Sequence, residues 1–237
     1  MMRSSRSVIV TALLGLALLL GMPQAGAADD LARAMAMMQR SDFAAAIPLL
    51  RRLAEQEDAD AQAYLGGLYL VGLGGLPHDI SLAKQWLERA AGYGNATAAF
   101  NLGLLAERGE GGLVDFPGAV SWYQKSALGD FPMAMLKLGE AYRHGMGVPA
   151  DPESATHWLR LAAEAGLPDA QNLFGVMIAE GETAGSTVEA YAWFKLAAGS
   201  GQPEAEENMN LLRTQMSEGE IAEGERRALS GHPARDR

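Results

Sequence analysis

Histidines, one aspartate and a run of glycines are the first residues of the sequence that could carry chemistry. His144 and His157 lie on either side of Asp151, and such side chains could bind a metal ion if a turn brought them together. The surrounding stretch from residue 138 to 151, LGEAYRHGMGVPAD, holds three glycines, which is typical of loops that wrap around phosphate groups. Both interpretations require a stretch that occurs once, whereas related stretches recur along this chain.

Sequence patterns that accompany catalysis do not occur in the chain. It has no HExxH pair and no G-x-S-x-G serine, and its glycine clusters lack the lysine and hydroxyl residue of a P-loop. Ser121, Ser126 and Ser154 fall at helical positions, where we interpret them as helix-surface or capping residues. With zero cysteines, thiol catalysis and thiolate metal sites are excluded. The sequence therefore predicts a protein that is not an enzyme, with no catalytic, cofactor-binding or metal-binding residues.

The tryptophans reveal a tandem repeat. Trp86, Trp122, Trp158 and Trp193 are spaced by 36, 36 and 35 residues, and Leu49 lies 37 residues before the first of them. We call these five residues the rung positions. Alanine recurs three residues before, five after and twelve after every rung, and glycine recurs seventeen after the first four. Such periodicity is typical of repeat architectures.

Each repeat predicts two helices. The residue seven positions before each rung is a good N-cap, and these residues are Asp42, Asp79, Asp115, Asp151 and Ser186. From each cap we expect a first helix of roughly twelve to fourteen residues. In the second helix, Ala134 and Leu138 begin a buried stripe, and the neighbouring Gly139 indicates a close approach of two helices. The stretch from residue 138 to 151 is therefore a corner, in which Gly145 ends one helix before the next cap.

These motifs resemble the Sel1-like repeat family, which is related to tetratricopeptide repeats. The pattern A-x-x-x-L-G-x-x-Y-x-x-G-x-G-V-x-x-D runs from Ala134 to Asp151, and A-x-x-W-x-x-x-A-A-x-x-G follows from Ala155 to Gly166. The resemblance implies an all-α fold, a right-handed α-solenoid of helix-turn-helix repeats with terminal capping helices. The pattern lacks its tyrosine at Ala106 and its valine within 181–185, so we expect looser corners at both places.

The predicted organisation has five parts. In chain order they are a cleaved secretory signal peptide (1–27), an N-terminal capping helix (28–41), the repeat solenoid (42–201), a C-terminal half repeat with a capping helix (202–229) and a disordered tail (230–237). The solenoid divides into a half repeat and four full repeats, at 42–58, 59–94, 95–130, 131–166 and 167–201.

The N-terminal segment and the net charge indicate where the protein acts. Arg3 and Arg6 precede an apolar run from Val8 to Met22, and Ala25 and Ala27 suit the −3 and −1 positions of a cleavage site. We therefore expect a periplasmic or secreted protein with no stable membrane anchor after cleavage. Loss of the two arginines would change the net charge from −10 to −12. This acidity argues against nucleic acid as a partner, because nucleic-acid affinity comes from cationic contacts to phosphates.

The second helices carry an unexpected set of apolar residues opposite their core stripe. This face should be polar if it met only water. Either neighbouring repeats bury more of each helix than a helical wheel suggests, or the helices line a concave groove that receives a peptide or a helix of another protein. The candidate groove residues are Tyr64, Phe100, Asn101, Leu104, Arg108, Lys137, Glu140, His144, Leu173 and Val176.

Three functional hypotheses follow. The resemblance implies a scaffold or regulator, since exported Sel1-like proteins include partners of envelope sensor kinases and of exopolysaccharide and cell-wall machinery. We therefore favour a non-catalytic adaptor that binds an envelope protein or peptide segment. The alternatives are a hydrolase acting on cell-wall or β-lactam substrates, an activity ascribed to cysteine-rich relatives, and a bare structural or stress protein.

Overall fold

The computed structural model describes residues 25–231 and residue 233, and this part of the chain is built from α-helices without strands. The helices are α1 (Ala25–Gln39), α2 (Phe43–Glu55), α3 (Ala59–Val71), α4 (Ile80–Gly92), α5 (Ala96–Arg108), α6 (Phe116–Ala127), α7 (Pro132–His144), α8 (Pro152–Glu164), α9 (Pro168–Ala179), α10 (Thr187–Gly199), α11 (Pro203–Arg213) and α12 (Glu218–Leu229). Successive antiparallel pairs stack into a solenoid, which confirms the predicted all-α repeat fold.

The predicted N-caps fix where the first helix of each repeat begins. Each of the five capping side chains accepts a hydrogen bond from a backbone N–H in the first turn of its helix. At Asp79, for example, Oδ1 accepts from the N–H of Leu82 at 2.9 Å. A capping side chain satisfies a backbone donor that has no partner within the helix. The five caps are confirmed.

The glycines of the second helices let the next helix approach closely. A Cβ on Gly66 would lie 2.7 Å from Cγ of Leu87, and a Cβ on Gly139 would lie 2.3 Å from Cγ of Leu159. A Cβ on Gly103 or on Gly175 would likewise clash with the side chain that comes one residue after the next rung position. The most extensive contacts of the solenoid accordingly join each second helix to the helix that follows it. The predicted close approach is confirmed.

The centre of the core lies one residue beyond each rung position. Trp86, Trp122 and Trp158 are only partly buried, although each packs against the core. The residues that follow the rungs are at most 2% exposed, and they are Leu50, Leu87, Tyr123, Leu159 and Phe194. The indoles of Trp86, Trp122 and Trp158 therefore cover the core from outside.

A left-handed glycine closes several corners. Gly145 ends α7 with φ of 69°, a conformation that costs glycine little. The N–H of Asp151 then donates to the carbonyl of Tyr142 at 2.9 Å. The corner at Ala106 is not looser, because Asp115 donates to the Ala106 carbonyl at the same distance of 2.9 Å. Backbone groups make this bond, so it does not depend on the missing tyrosine ring.

The two ends of the stack are closed by single helices. α1 begins at Ala25 and ends at Gln39, whereas the sequence suggested 28–41. Ala34 is fully buried against the rest of the stack. α12 begins with a capping box between Ser217 and Glu220 and packs on α10. Of the signal peptide, residues 1–24 lie outside the described residues, as do most residues of the predicted tail. No helix of the described part is long and apolar enough to cross a bilayer.

Candidate functional site

The second helices of successive repeats form one continuous surface. α3 contacts α5 directly, and α9 contacts α11, although an intervening helix separates each pair along the chain. Side chains also bridge them, since the amide Nδ2 of Asn208 donates to Oδ1 of Asn172 at 3.0 Å. We call the surface formed by α3, α5, α7, α9 and α11 the inner groove. It contains three distinct parts, described below from the N-terminal end.

The N-terminal cleft is the first part, with a cavity volume of about 310 Å³ between α1, α3 and α5. Its walls are largely apolar, and polar side chains lie along α3 and α5. The lining residues are Met38, Phe43, Asp60, Ala63, Tyr64, Gly67, Leu68, Leu73, Asn95, Thr97 and Asn101. The turn that carries Leu73 lies tightly on α2, because a Cβ on Gly74 would come within 2.5 Å of Cβ of Phe43. Beside this tight contact, α1, α3 and α5 leave an open concave space.

An ion cluster occupies the middle of the inner groove. Nζ of Lys137 lies 3.1 Å from Oε1 of Glu107 and 3.6 Å from Oε2 of Glu140. Tyr123, from an outer helix, reaches through the space left by Gly103 and donates its hydroxyl hydrogen to Glu107. Burial, and secondarily this hydrogen bond, raise the pKa of Tyr123 above its usual value. The hydroxyl is therefore a neutral donor, and the space beside the cluster is only about 30 Å³.

The C-terminal cleft is the third part, with a volume of about 250 Å³ between α9, α10 and α11. Val176 and Leu212 line it, together with Leu211, which is 65% exposed. At its edge the guanidinium of Arg143 lies 2.7 Å from a carboxylate oxygen of Glu182. This hydrogen bond raises the pKa of Arg143 and lowers that of Glu182, so both remain charged.

The structure distributes the predicted groove residues over these parts. Tyr64 and Asn101 line the N-terminal cleft, Lys137 and Glu140 belong to the ion cluster, and Val176 lines the C-terminal cleft. The remaining residues on the groove face lie between the parts or at the edge. Leu104 and Leu173 are half-buried against the core, Arg108 lies 3.6 Å from Glu110, and His144 is exposed.

One predicted groove residue is misplaced. Phe100 is only 9% exposed, and its ring packs 5.0 Å from that of Phe131 and 5.7 Å from that of Tyr123, measured between centroids. The prediction that Phe100 lines the groove is therefore wrong. Its repeat position lies 100° around the helix from the groove-facing position, and the next repeat covers it. The equivalent Leu136 is 6% exposed for the same reason.

Several residues of the site were not predicted. Met38, Phe43 and Leu73 come from α1, α2 and a turn, so helical periodicity within α3 and α5 could not indicate them. Tyr123 could have been found, because it is the only hydroxyl-bearing residue among the five that follow the rungs. A polar group at a core position requires a hydrogen-bond partner.

The residues that first suggested chemistry have structural roles. Asp151 caps α8, and its Oδ2 accepts from Oγ of Ser154 at 2.6 Å. These bonds lower the pKa of Asp151. Ser126 is not a helix-surface residue, since it is 0% exposed and its Oγ donates to the carbonyl of Ala96 at 2.7 Å. Within the described residues no group of three His, Asp or Glu side chains could hold a metal ion.

Comparison with known proteins identifies the repeat. A family model described as the Sel1 repeat matches four consecutive segments, at residues 59–92, 96–131, 132–167 and 168–202. Each segment consists of one inner helix and the outer helix that follows it. The matches together cover more than half of the chain.

Two curated proteins share part of this sequence. Chitin synthase regulatory factor 3 of Schizosaccharomyces pombe is 32% identical over 131 residues, which is 53% of this chain and 14% of the yeast protein. Cytochrome c oxidase assembly factor 7A of Xenopus laevis is 28% identical over 134 residues, which is 54% of this chain and 58% of the frog protein. The chain thus spans less than two thirds of either relative.

Two crystal structures resemble the whole solenoid. A protective antigen of uropathogenic Escherichia coli with an SLR fold has a TM-score of 0.77 and 29% identity, over 86% of this chain and 45% of the antigen. A Sel1 repeat protein from Oxalobacter formigenes has a TM-score of 0.73 and 26% identity, over 86% of this chain and 85% of that one. Both share the architecture described above.

Proposed function

The chain belongs to the Sel1 repeat family, and on that premise we propose that it is a non-catalytic adaptor or regulator that binds a partner protein in the inner groove. Sel1 repeat proteins generally mediate protein–protein interaction, and the names of the two curated relatives describe a regulatory factor and an assembly factor. Since both matches cover only part of those proteins, the assignment depends on the groove itself.

The N-terminal cleft is the observation that carries this proposal. Its volume of about 310 Å³ lies at the lower end of the range of ligand-binding pockets. It combines apolar walls with amide, hydroxyl and carboxylate groups from neighbouring helices. Such a combination suits a peptide side chain, because apolar surface supplies affinity and a few polar groups fix the orientation. The apolar C-terminal cleft offers a second contact along the same surface, so an extended segment or a helix could reach both.

A photo-crosslinking experiment tests the proposal. A photoreactive residue at Thr97, which is exposed within the cleft, is compared with one at Gln85, which is exposed on the outer helix α4. We expect a defined crosslinked protein from position 97 only, and we expect Tyr64→Ala to remove it. The identified protein is then purified, and its affinity is measured for the unsubstituted chain and for the Tyr64→Ala variant. Equal crosslinking at both positions, or none at either, would contradict the groove and favour a bare structural role.

The cell envelope is the proposed site of action. Arg3 and Arg6, the apolar run up to Met22 and the alanines at 25 and 27 support export. Cleavage after Ala27 would shorten α1 by three residues and keep the ion pair between Asp30 and Arg52, which ties α1 to α2. N-terminal sequencing of the protein from a periplasmic fraction should begin at residue 28. An uncut protein confined to the cytoplasm would refute this part of the proposal.

A further inference from the structure

The N-terminal cleft joins apolar walls to a single carboxylate. Met38, Phe43 and Leu68 provide hydrophobic surface, Tyr64 adds an aromatic ring, and Asp60 is exposed at the boundary of the cleft. This arrangement differs from the middle of the groove, where a lysine is paired with both carboxylates. A ligand that fits the cleft would therefore carry an apolar portion and a positive charge a few bonds apart.

Asp60 is held in place and has no cationic partner among the described residues. Its Oδ1 accepts a hydrogen bond from Nδ2 of Asn95 at 2.7 Å, while Oδ1 of Asn95 caps α5 by accepting from the N–H of Ala98 at 2.8 Å. The amide of Asn95 is thus fixed at both ends and orients the carboxylate. Among the ion pairs of the described residues, none involves Asp60.

The cations along the groove are already engaged. Arg108 lies near Glu110, Lys137 lies between two glutamates, and Arg143 lies within 3.4 Å of carboxylate oxygens of both Glu180 and Glu182. The chain as a whole has a net charge of −10. An acidic protein with one unpaired carboxylate in an apolar cleft attracts positively charged partners.

We propose that the N-terminal cleft receives a lysine or arginine side chain from a cationic segment of the partner protein. The aliphatic stem lies against Met38, Phe43 and Leu68, and the charged head reaches Asp60 with Tyr64 beside it. Lysine and arginine match this site because each joins a hydrocarbon stem to a charged end, and a cation gains further from an aromatic face. The inference rests on the proposed groove function and specifies the chemistry of its partner.

A pair of peptides tests this inference. The probe is a nine-residue peptide of glycine and serine with a central Leu-Arg-Leu, and its counterpart replaces arginine by citrulline, which has nearly the same shape without the charge. Titration of the ¹⁵N-labelled full chain by NMR locates binding and gives Kd. We expect the arginine peptide to shift amides of residues 60–68 and 95–101, with Kd about fivefold lower than for citrulline, the factor typical of about 1 kcal/mol from an exposed ion pair.

Two aspartates provide a matched comparison. Asp169 occupies in α9 the same repeat position that Asp60 occupies in α3, and both are exposed in the first turn of an inner helix. Asp60→Asn and Asp169→Asn therefore remove the same charge from the same helical environment. We expect Asp60→Asn to weaken the arginine peptide about fivefold and Asp169→Asn to leave Kd within about twofold.

The outcomes separate this inference from the proposed function. If both variants weaken the arginine peptide equally, the attraction is a property of net charge and the inference is overturned. If citrulline binds the cleft as well as arginine does, the inference also fails, while crosslinking at position 97 continues to support a groove of different specificity. If the peptides shift only amides outside the cleft and position 97 yields no crosslink, both the groove function and the cationic ligand are refuted.

Discussion

Two adjacent glycines of α3, Gly66 and Gly67, should respond in opposite ways to replacement by alanine. One replacement should lower the stability of the protein, and the other should raise it. A Cβ on Gly66 would lie 2.7 Å from Cγ of Leu87 and 3.2 Å from the backbone oxygen of Ala83. At Gly67, a Cβ would have no atom of the described structure within 4 Å, apart from those of its chain neighbours and its own helix backbone. The two alanine variants share the same helix and the same added group, so they differ only in the approach of the next helix.

The expected magnitudes follow from two opposing terms. Alanine is favoured over glycine within a helix by about 0.5–1 kcal/mol, and this gain applies to both variants. Overpacking costs about 1–3 kcal/mol, and Leu87 lies at the upper end because it is 0% exposed and cannot move into solvent. Gly66→Ala should therefore lower the free energy of unfolding by about 2–2.5 kcal/mol, while Gly67→Ala should raise it by about 0.5–1 kcal/mol.

Thermal and chemical denaturation measure this difference. For a chain of this size, 1 kcal/mol corresponds to about 2–4 °C in Tm. The double variant Gly66→Ala with Leu87→Ala should lose less stability than the sum of the two single losses, because the added methyl enters the space that the leucine vacates. If the two glycine variants shift Tm equally, or if the double variant is simply additive, the close approach does not explain the recurring glycine.

Further predictions concern a buried serine, a misassigned phenylalanine and the last helix. Ser126→Ala should lower the free energy of unfolding by about 1 kcal/mol, because its buried Oγ donates to a carbonyl of another helix, while the exposed Ser121→Ala should change it by less than about 0.5 kcal/mol. Phe100→Ala should cost about 3–5 kcal/mol in urea denaturation, far more than Tyr64→Ala, which should instead reduce partner binding. Hydrogen bonds from two arginines lower the pKa of Glu223 to about 2. The stabilisation of α12 by ionised Glu223 should thus be complete above about pH 4.3 and lost as the pH falls towards 2. Carboxyl ¹³C titration measures the pKa, and the Glu223→Gln variant should lack this part of the pH dependence of stability.

Local rules in the sequence were sufficient to predict the repeat. An N-cap depends on one side chain and the next three residues, which is why Asp42 through Ser186 could be assigned without tertiary information. The recurring glycines were equally informative, because a residue unfavourable in a helix requires a packing reason. The capping box of Ser217 and Glu220 follows the same kind of local rule.

Side-chain burial at repeat boundaries could not be predicted by the same rules. Phe100 lies on a helical face that looks solvent-facing until the following repeat covers it, and Ser126 finds its acceptor in α5 rather than in its own helix. The repeat spacing locates Trp86 but not its burial, and its indole lies over the core, with the guanidinium of Arg89 5.0 Å from the ring centroid. The N-terminal cleft depends on α1, α3, α5 and a turn together, so no single segment encodes it.

The N-terminal cleft lies at one end of a linear array, and this placement links ligand occupancy to fraying. In a stack where each unit contacts only its neighbours, terminal units open most readily, and α1 has its main contacts with α2 alone. When α1 detaches, Met38 leaves the wall and the cavity opens on that side. A partner bound in this cleft would therefore stabilise the terminal unit and slow hydrogen exchange of α1 and α2.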